Sequence, residues 1–332
     1  MTRTVEEHLE SALDFLRALN PWDGIFPADY RRAFIFRGVG SASYRLIPSA
    51  FREGTSLRQF EGTVTAPLPT VGSQIRAELS TLWEFFCSAD RQGLRLPEDS
   101  QDLREILKLD ASIADDFLKD IELGRRAWPP NHLISLMALA QHYGVPTRLL
   151  DWTWNPYIAA YFAASNSRGV ESNICVWAFA TVHSEIQELL TNPAQRKLHL
   201  VSAPASDNEN LRAQRWVGLL FRHVGVSAEV PFTQPAYDEI AVQTYGSDAV
   251  FYKLTLPAQE SGELLRLLSL LDIDGAALFP GFQGAAKVVN EMARWPDQES
   301  WRKSNRLAMY WSAQVGFYKK HELFGLTREG SQ

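Results

Sequence analysis

Two stretches of this 332-residue chain hold side chains whose types and spacing could do chemistry. The first is Phe36-Arg37-Gly38-Val39-Gly40-Ser41, where an arginine ends an apolar run and two glycines follow. Arginine presents a planar cationic fork that matches phosphate or carboxylate. Glycine lets the backbone turn sharply or come close to a ligand. A solvated arginine on a surface turn is the plainer alternative, but Phe34-Ile35-Phe36 should place that turn at the edge of the core. The second stretch is Gln141–Ala164, which sets His142, Thr147, Arg148, Asp151, Thr153 and Asn155 within fourteen positions of a buried-looking segment. Burying an arginine or an aspartate is costly unless it is paired. This polar set is therefore either an internal Arg148–Asp151 ion pair with caps, holding a sharp turn, or the floor of a pocket.

The elements that must position these residues follow from local pattern. Leu133, Leu136, Met137 and Ala140 recur at threes and fours, which predicts a helix from about Asn131. Gly144 is placed to end it as a left-handed cap, and Pro146 cannot continue it. Residues 147–153 read as a short strand with Leu149 and Leu150 buried. Asn155-Pro156 starts a small, apolar helix through Ala164. Arg148 and Asp151 stand an odd number apart, so a regular strand sends them to opposite faces and they do not pair. At least one is expected to bond the backbone or an arginine of the Arg37–Arg45 segment. Arg37 and Thr153 are expected side by side on adjacent strands, facing one cleft. His142, at a helix C-terminus, reads first as a local structural residue. Asp151→Asn should then hurt folding more than Thr153→Ala, and Thr153→Ala should hurt activity more than stability.

Elsewhere, Thr4 and Glu7 fit a capping box, and Leu9, Leu13, Leu16 and Leu19 predict an N-terminal helix within residues 1–30. Residues 33–36 read as a buried strand that stops at Arg37. Residues 55–70, rich in Gly, Pro and Thr, read as a loop. Residues 73–87 read as a helix with Ile75, Leu79, Leu82, Trp83 and Phe86 on one side and Glu78 and Glu84 solvated; residues 98–124 read as more helix. Strands are predicted at 173–180, 198–201 and 249–256. Residues 210–221 are ambiguous. Further helices are predicted at 260–271, 282–293 and 298–318. The whole is an α+β pattern: a small central mixed or antiparallel sheet, a largely helical N-terminal half, and C-terminal helices.

Hydrophobic content of 45% and charged content of 22% are ordinary for a globular protein. A net charge of −6 argues against an extended electrostatic grip on nucleic acid, although a local basic groove stays open. Cys87 and Cys175 are too few for a disulfide framework or a zinc site, and no other metal site suggests itself, so a reducing cytoplasm is expected. No stretch approaches the length of a membrane span. A phosphate loop, a dinucleotide fingerprint and a Gly-x-Ser-x-Gly elbow are all missing.

Phe36-Arg37-Gly38, then Gln141 through Thr153 with Asn155-Pro156 and Ala160-Tyr161-Phe162-Ala163, resembles the FRG domain family, which takes its name from the Phe-Arg-Gly triplet. Asn210-x-Arg212 with Gly218, and Leu278-Phe279-Pro280, are similar to its later motifs. The resemblance implies a domain over about residues 31–293 with a helical insertion at about 73–140, and a helical tail at 294–332. Trp216 stands where that family usually has glutamine, and Gln214 is out of register. A second resemblance is to arginine-type ADP-ribosyltransferases, in which an arginine ends a strand and a hydroxyl-bearing strand leads into a helix of the type seen at Ala159–Ala163. It implies a sheet of that type and NAD as substrate. Arg37 would hold a phosphate, Thr153 would orient the ribose, and Tyr143 or Trp152 would stack the nicotinamide. The candidate site is then Arg37, Asp151 and Thr153 for chemistry, with Arg37, Gly38, Tyr143, Arg148, Trp152 and Asn155 holding the nucleotide. The glutamate those enzymes need has no clear counterpart among Glu209, Glu229 and Glu239. The function classes left open are an enzyme that cleaves NAD and passes ADP-ribose to an acceptor or to water, a binding module that senses a nucleotide or holds a partner, and, weighed against by the acidic charge, an enzyme acting on nucleic acid.

Overall fold

The computed structural model describes residues 3–20, 24–26, 34–60, 70–108, 111–167, 172–181, 198–203, 209–233, 236–245 and 250–296. The helix expected at 298–318, and residues 61–69 of the expected loop, lie outside these. Seven strands form one mixed sheet: β1 (Arg3–His8), β2 (Phe34–Val39), β3 (Leu149–Thr153), β4 (Asn173–Ala180), β5 (Leu198–Val201), β6 (Trp216–Phe221) and β7 (Val250–Pro257). Their order is β1-β7-β4-β2-β3-β6-β5. Only the β1–β7 pairing is parallel among them.

Strand alternation divides the sheet into two apolar faces. Ile35, Val39, Cys175, Trp177, Phe179 and Phe251 join one core with helices α2 (Val71–Arg91) and α5 (Ile134–His142). Phe34, Phe36, Val176, Ala178 and Leu254 join a second core with α1 (Ala12–Ala18) and α6 (Pro156–Ser165). A strand buried on both faces reads as an unbroken apolar run, which is why residues 173–180 are legible as they stand. Between α2 and α5 lie two further helices, α3 (Gln101–Leu107) and α4 (Ala111–Glu122).

The alanines of α6 let it lie directly on β2. A Cβ added at Gly38 would stand 1.8 Å from the Ala159 carbonyl oxygen and 2.6 Å from the Ala163 nitrogen. The glycine of the Phe-Arg-Gly triplet is thus required by helix-on-strand contact, and the strand runs on through it to Val39 instead of stopping at Arg37.

The N-terminus corrects the sequence reading. Arg3–His8 is an edge strand, and the helix begins only after Ser11, whose side chain accepts from the Asp14 N–H. Six backbone positions gain ladder partners on β7, which outweighs one capping box on a short helix. The buried stripe of α1 is Ala12, Phe15, Ala18 and Leu19, whereas Leu13 is exposed. The ambiguous 210–221 segment splits into α7 (Glu209–Ala213) and β6. Between them Arg215 adopts a left-handed φ of 47°.

Candidate functional site

A cavity of about 620 Å³ opens where β2 and β3 part. The two strands pair at the single position Phe36↔Thr153. Arg37 and Gly38 of β2, Asp151, Trp152 and Thr153 of β3, and Gln141, His142 and Tyr143 at the end of α5 line the opening. Phe162 and Asn166 at the end of α6, Gln214, Trp216 and Phe279 complete the wall.

Arg37 ties the parted strands together: its Nη1 donates to the Asp151 carbonyl oxygen at 2.6 Å. Burial pushes the Arg37 guanidinium down to about 10; the Asp151 charge opposes the fall and Arg52 adds to it. Among the described residues no carboxylate forms an ion pair with Arg37. The Asp151 side chain is exposed on the cavity wall. Its Oδ1 accepts from Gln141 Nε2 at 2.5 Å and from the Trp216 indole at 2.7 Å. Gln141 is itself oriented by the Thr147 hydroxyl, which donates to its Oε1. Oδ2 of Asp151 has no hydrogen-bond partner among the described residues. The result is a half-buried cation bonded to the Asp151 main chain, with the Asp151 carboxylate oriented on the wall of the same cavity and, among the described residues, one oxygen to spare.

Trp216, the departure from the expected glutamine, is therefore a working part of the wall. Its ring also explains Gly218, directly across from Asp151, because a Cβ there would lie 2.8 Å from the indole.

Several site expectations are corrected. Arg148 is closed to solvent and does not line the cavity. Its Nε meets Glu78 Oε2 at 2.7 Å and its Nη2 meets Oε1 at 2.9 Å. Glu78, read as solvated, is 3% exposed and also accepts from Trp128 Nε1 and Gln74 Nε2. A sequence signal was present. Position 78 falls within the stripe of Ile75, Leu79, Leu82 and Phe86, all of them buried. A glutamate on a buried stripe must be paired.

Thr153 is also reassigned. Strand register sets Phe36 opposite Thr153 and Arg37 opposite Trp177 of β4, so Arg37 and Thr153 point to opposite faces although both border the cavity. The Thr153 hydroxyl donates to the Gln214 carbonyl at 2.7 Å and accepts the Asn155 N–H at 3.1 Å. It holds a turn. Asn155 caps α6 through the Tyr157 and Ile158 N–H groups and lies outside the cavity lining. The Trp152 ring packs beside Phe179 in the core. Tyr143 stands at the rim, 71% exposed. His142 Nε2 lies 2.7 Å from the Asn210 amide. Burial lowers the His142 proton affinity, with Asp151 opposing. Of the three glutamates considered, Glu239 pairs with Arg45, and none lines the cavity; Asp151 is the carboxylate there among the described residues.

Among the described residues no helix is long and apolar enough to cross a membrane. Residues 32–172 match the FRG domain, a span that contains both Arg37 and Asp151. No curated protein and no solved structure matches the chain.

Proposed function

For a chain that carries an FRG domain, we propose that the cleft between β2 and β3 binds NAD and breaks its nicotinamide–ribose bond, passing ADP-ribose to an acceptor or to water. The observation that carries this reading is that Arg37 and the oriented Asp151 carboxylate border one cavity at the point where the strands part. A half-buried guanidinium without a carboxylate partner among the described residues gains most from a ligand that brings the negative charge, and a pyrophosphate matches its fork. As the bond between the ribose anomeric carbon and the ring nitrogen breaks, its electron pair leaves with nicotinamide and positive charge builds on the ribose. The oriented Asp151 carboxylate would stabilise that charge. A nucleophile on the acceptor, or water, then bonds the anomeric carbon and gives up its proton. Tyr143 at the rim supplies a face for the leaving ring.

A second reading, binding without cleavage, is favoured by two observations. The Thr153 hydroxyl is already engaged twice, and no glutamate lines the cavity among the described residues. Incubation of the purified protein with NAD, followed by mass spectrometry, separates the two. Nicotinamide released by the native protein and lost in Arg37→Ala and Asp151→Asn supports cleavage. NAD bound calorimetrically without release, and lost in Arg37→Ala, supports the binding module. Neither binding nor release removes both.

A further inference from the structure

A second cavity, of about 220 Å³, lies on the other side of the Phe36–Thr153 pair. Its lining includes Phe26, Phe34, Phe36, Trp154, Tyr157 and Arg215. Phe26 packs edge-on to Phe36 at 5.3 Å and tilted against Phe34 at 5.1 Å, so the floor is a set of fixed ring faces and edges. Trp154 stands at its mouth, 42% exposed, directly beside the Asn155 cap of α6. Arg215 supplies the charge. It holds a left-handed φ of 47°, a conformation that side chains other than glycine rarely adopt. Trp154 N–H donates to its carbonyl at 3.2 Å, so main-chain contacts hold it there. Among the described residues its guanidinium has neither a hydrogen bond nor an ion pair. Backbone strain of this kind clusters at active sites, ligand clamps and switch regions.

From these observations we infer that this cavity is a second ligand site, taking a planar aromatic ring that bears an anionic group. The ring enters among Trp154, Tyr157 and the phenylalanines, and the anion meets Arg215. The volume admits one fused ring system and falls below the roughly 300–1,000 Å³ of pockets that enclose drug-sized ligands. Charge complementarity selects an acidic ligand: among the described residues the cavity lining contains no carboxylate side chain. The ring could belong to a nucleotide or to a small aromatic acid. This inference does not depend on the chemistry assigned to the Arg37 cleft, which shares with it only the Phe36 wall.

The test is calorimetric titration of the purified protein with two probes, adenosine monophosphate and indole-3-acetate. Trp154→Ala and Arg215→Asn, the latter keeping a residue that tolerates the left-handed backbone, should each weaken the bound probe about tenfold, the lower range for loss of one stacked ring. Trp154→Phe should restore much of the affinity, and Arg37→Ala should leave the binding of indole-3-acetate unchanged. Binding of the nucleotide alone assigns the site to a nucleotide base, and binding of the indole acid alone assigns it to small aromatic acids. The inference is overturned if neither probe binds at millimolar concentration. It is equally overturned if Arg37→Ala abolishes binding while a folded Trp154→Ala, checked by its melting temperature, binds normally.

Discussion

Arg148 grips Glu78 across 70 residues of chain through two hydrogen bonds, Nε to Oε2 at 2.7 Å and Nη2 to Oε1 at 2.9 Å, with both side chains closed to solvent. The pair joins α2 to the first residue before β3. Arg148 Nη1 adds a bond to the Phe221 carbonyl on β6, so one guanidinium ties α2 to β6 and to the start of β3. Removing one partner leaves an uncompensated buried charge, so Glu78→Ala should cost about 3–5 kcal/mol in chemical denaturation. The double replacement Glu78→Leu with Arg148→Met should recover much of that loss. A Glu78→Ala protein as stable as the native chain would show that water compensates the arginine.

Thr153 and Asp151 exchange the roles that sequence alone suggests. Thr153 is 4% exposed and makes two hydrogen bonds with main-chain groups. Thr153→Ala should therefore destabilise by about 1–3 kcal/mol. Asp151→Asn keeps an oxygen to accept from Trp216 and Gln141 on an exposed side chain, and should shift stability by no more than about 0.5 kcal/mol. Melting curves of the two variants side by side decide the order; the opposite ranking would return the structural role to Asp151.

His142 makes stability depend on acid. Burial holds its proton affinity below the ordinary value of 6.5. Between the lowered value and 6.5 the unfolded chain binds more protons than the folded one, so stability falls as pH drops through that window. His142→Gln should flatten the stability–pH curve between about pH 7 and pH 5, where an ordinary histidine titrates. An unchanged slope would mean that other groups carry the acid sensitivity.

Gly38→Ala should be poorly tolerated, since the new methyl carbon would stand 1.8 Å from the Ala159 carbonyl oxygen and neither backbone can yield alone. Overpacking of this kind costs about 1–3 kcal/mol or more. Gly144→Ala is the control: a Cβ there meets nothing within 4 Å, so its cost comes only from the φ of 89°. A Gly38→Ala loss no larger than that of Gly144→Ala would show that α6 yields to the added carbon.

Local pattern determined most of the elements. The run at 173–180, the cap and proline at Asn155-Pro156, and the glycine stop at Gly144 all rest on interactions within a few residues, so they are legible wherever they occur. The same locality accounts for the errors at the N-terminus and at Glu78. Thr4 and Glu7 form a sound cap on paper, but β7, some 245 residues away, offers a ladder that the local pattern does not encode. Glu78 looks like an outer residue because its partner, Arg148, belongs to another part of the chain. The composition of the site, an arginine before a glycine and a polar group around Asp151, was evident from residue types alone. What only the tertiary structure decided is which of those polar groups reach the cavity. Strand register sends Arg37 and Thr153 to opposite faces, buries Arg148 against Glu78, and leaves Asp151 with Gln141 and Trp216 on one oxygen and, among the described residues, no hydrogen-bond partner on the other. A one-residue change of register would reverse those assignments, and register is set by pairings distant in sequence.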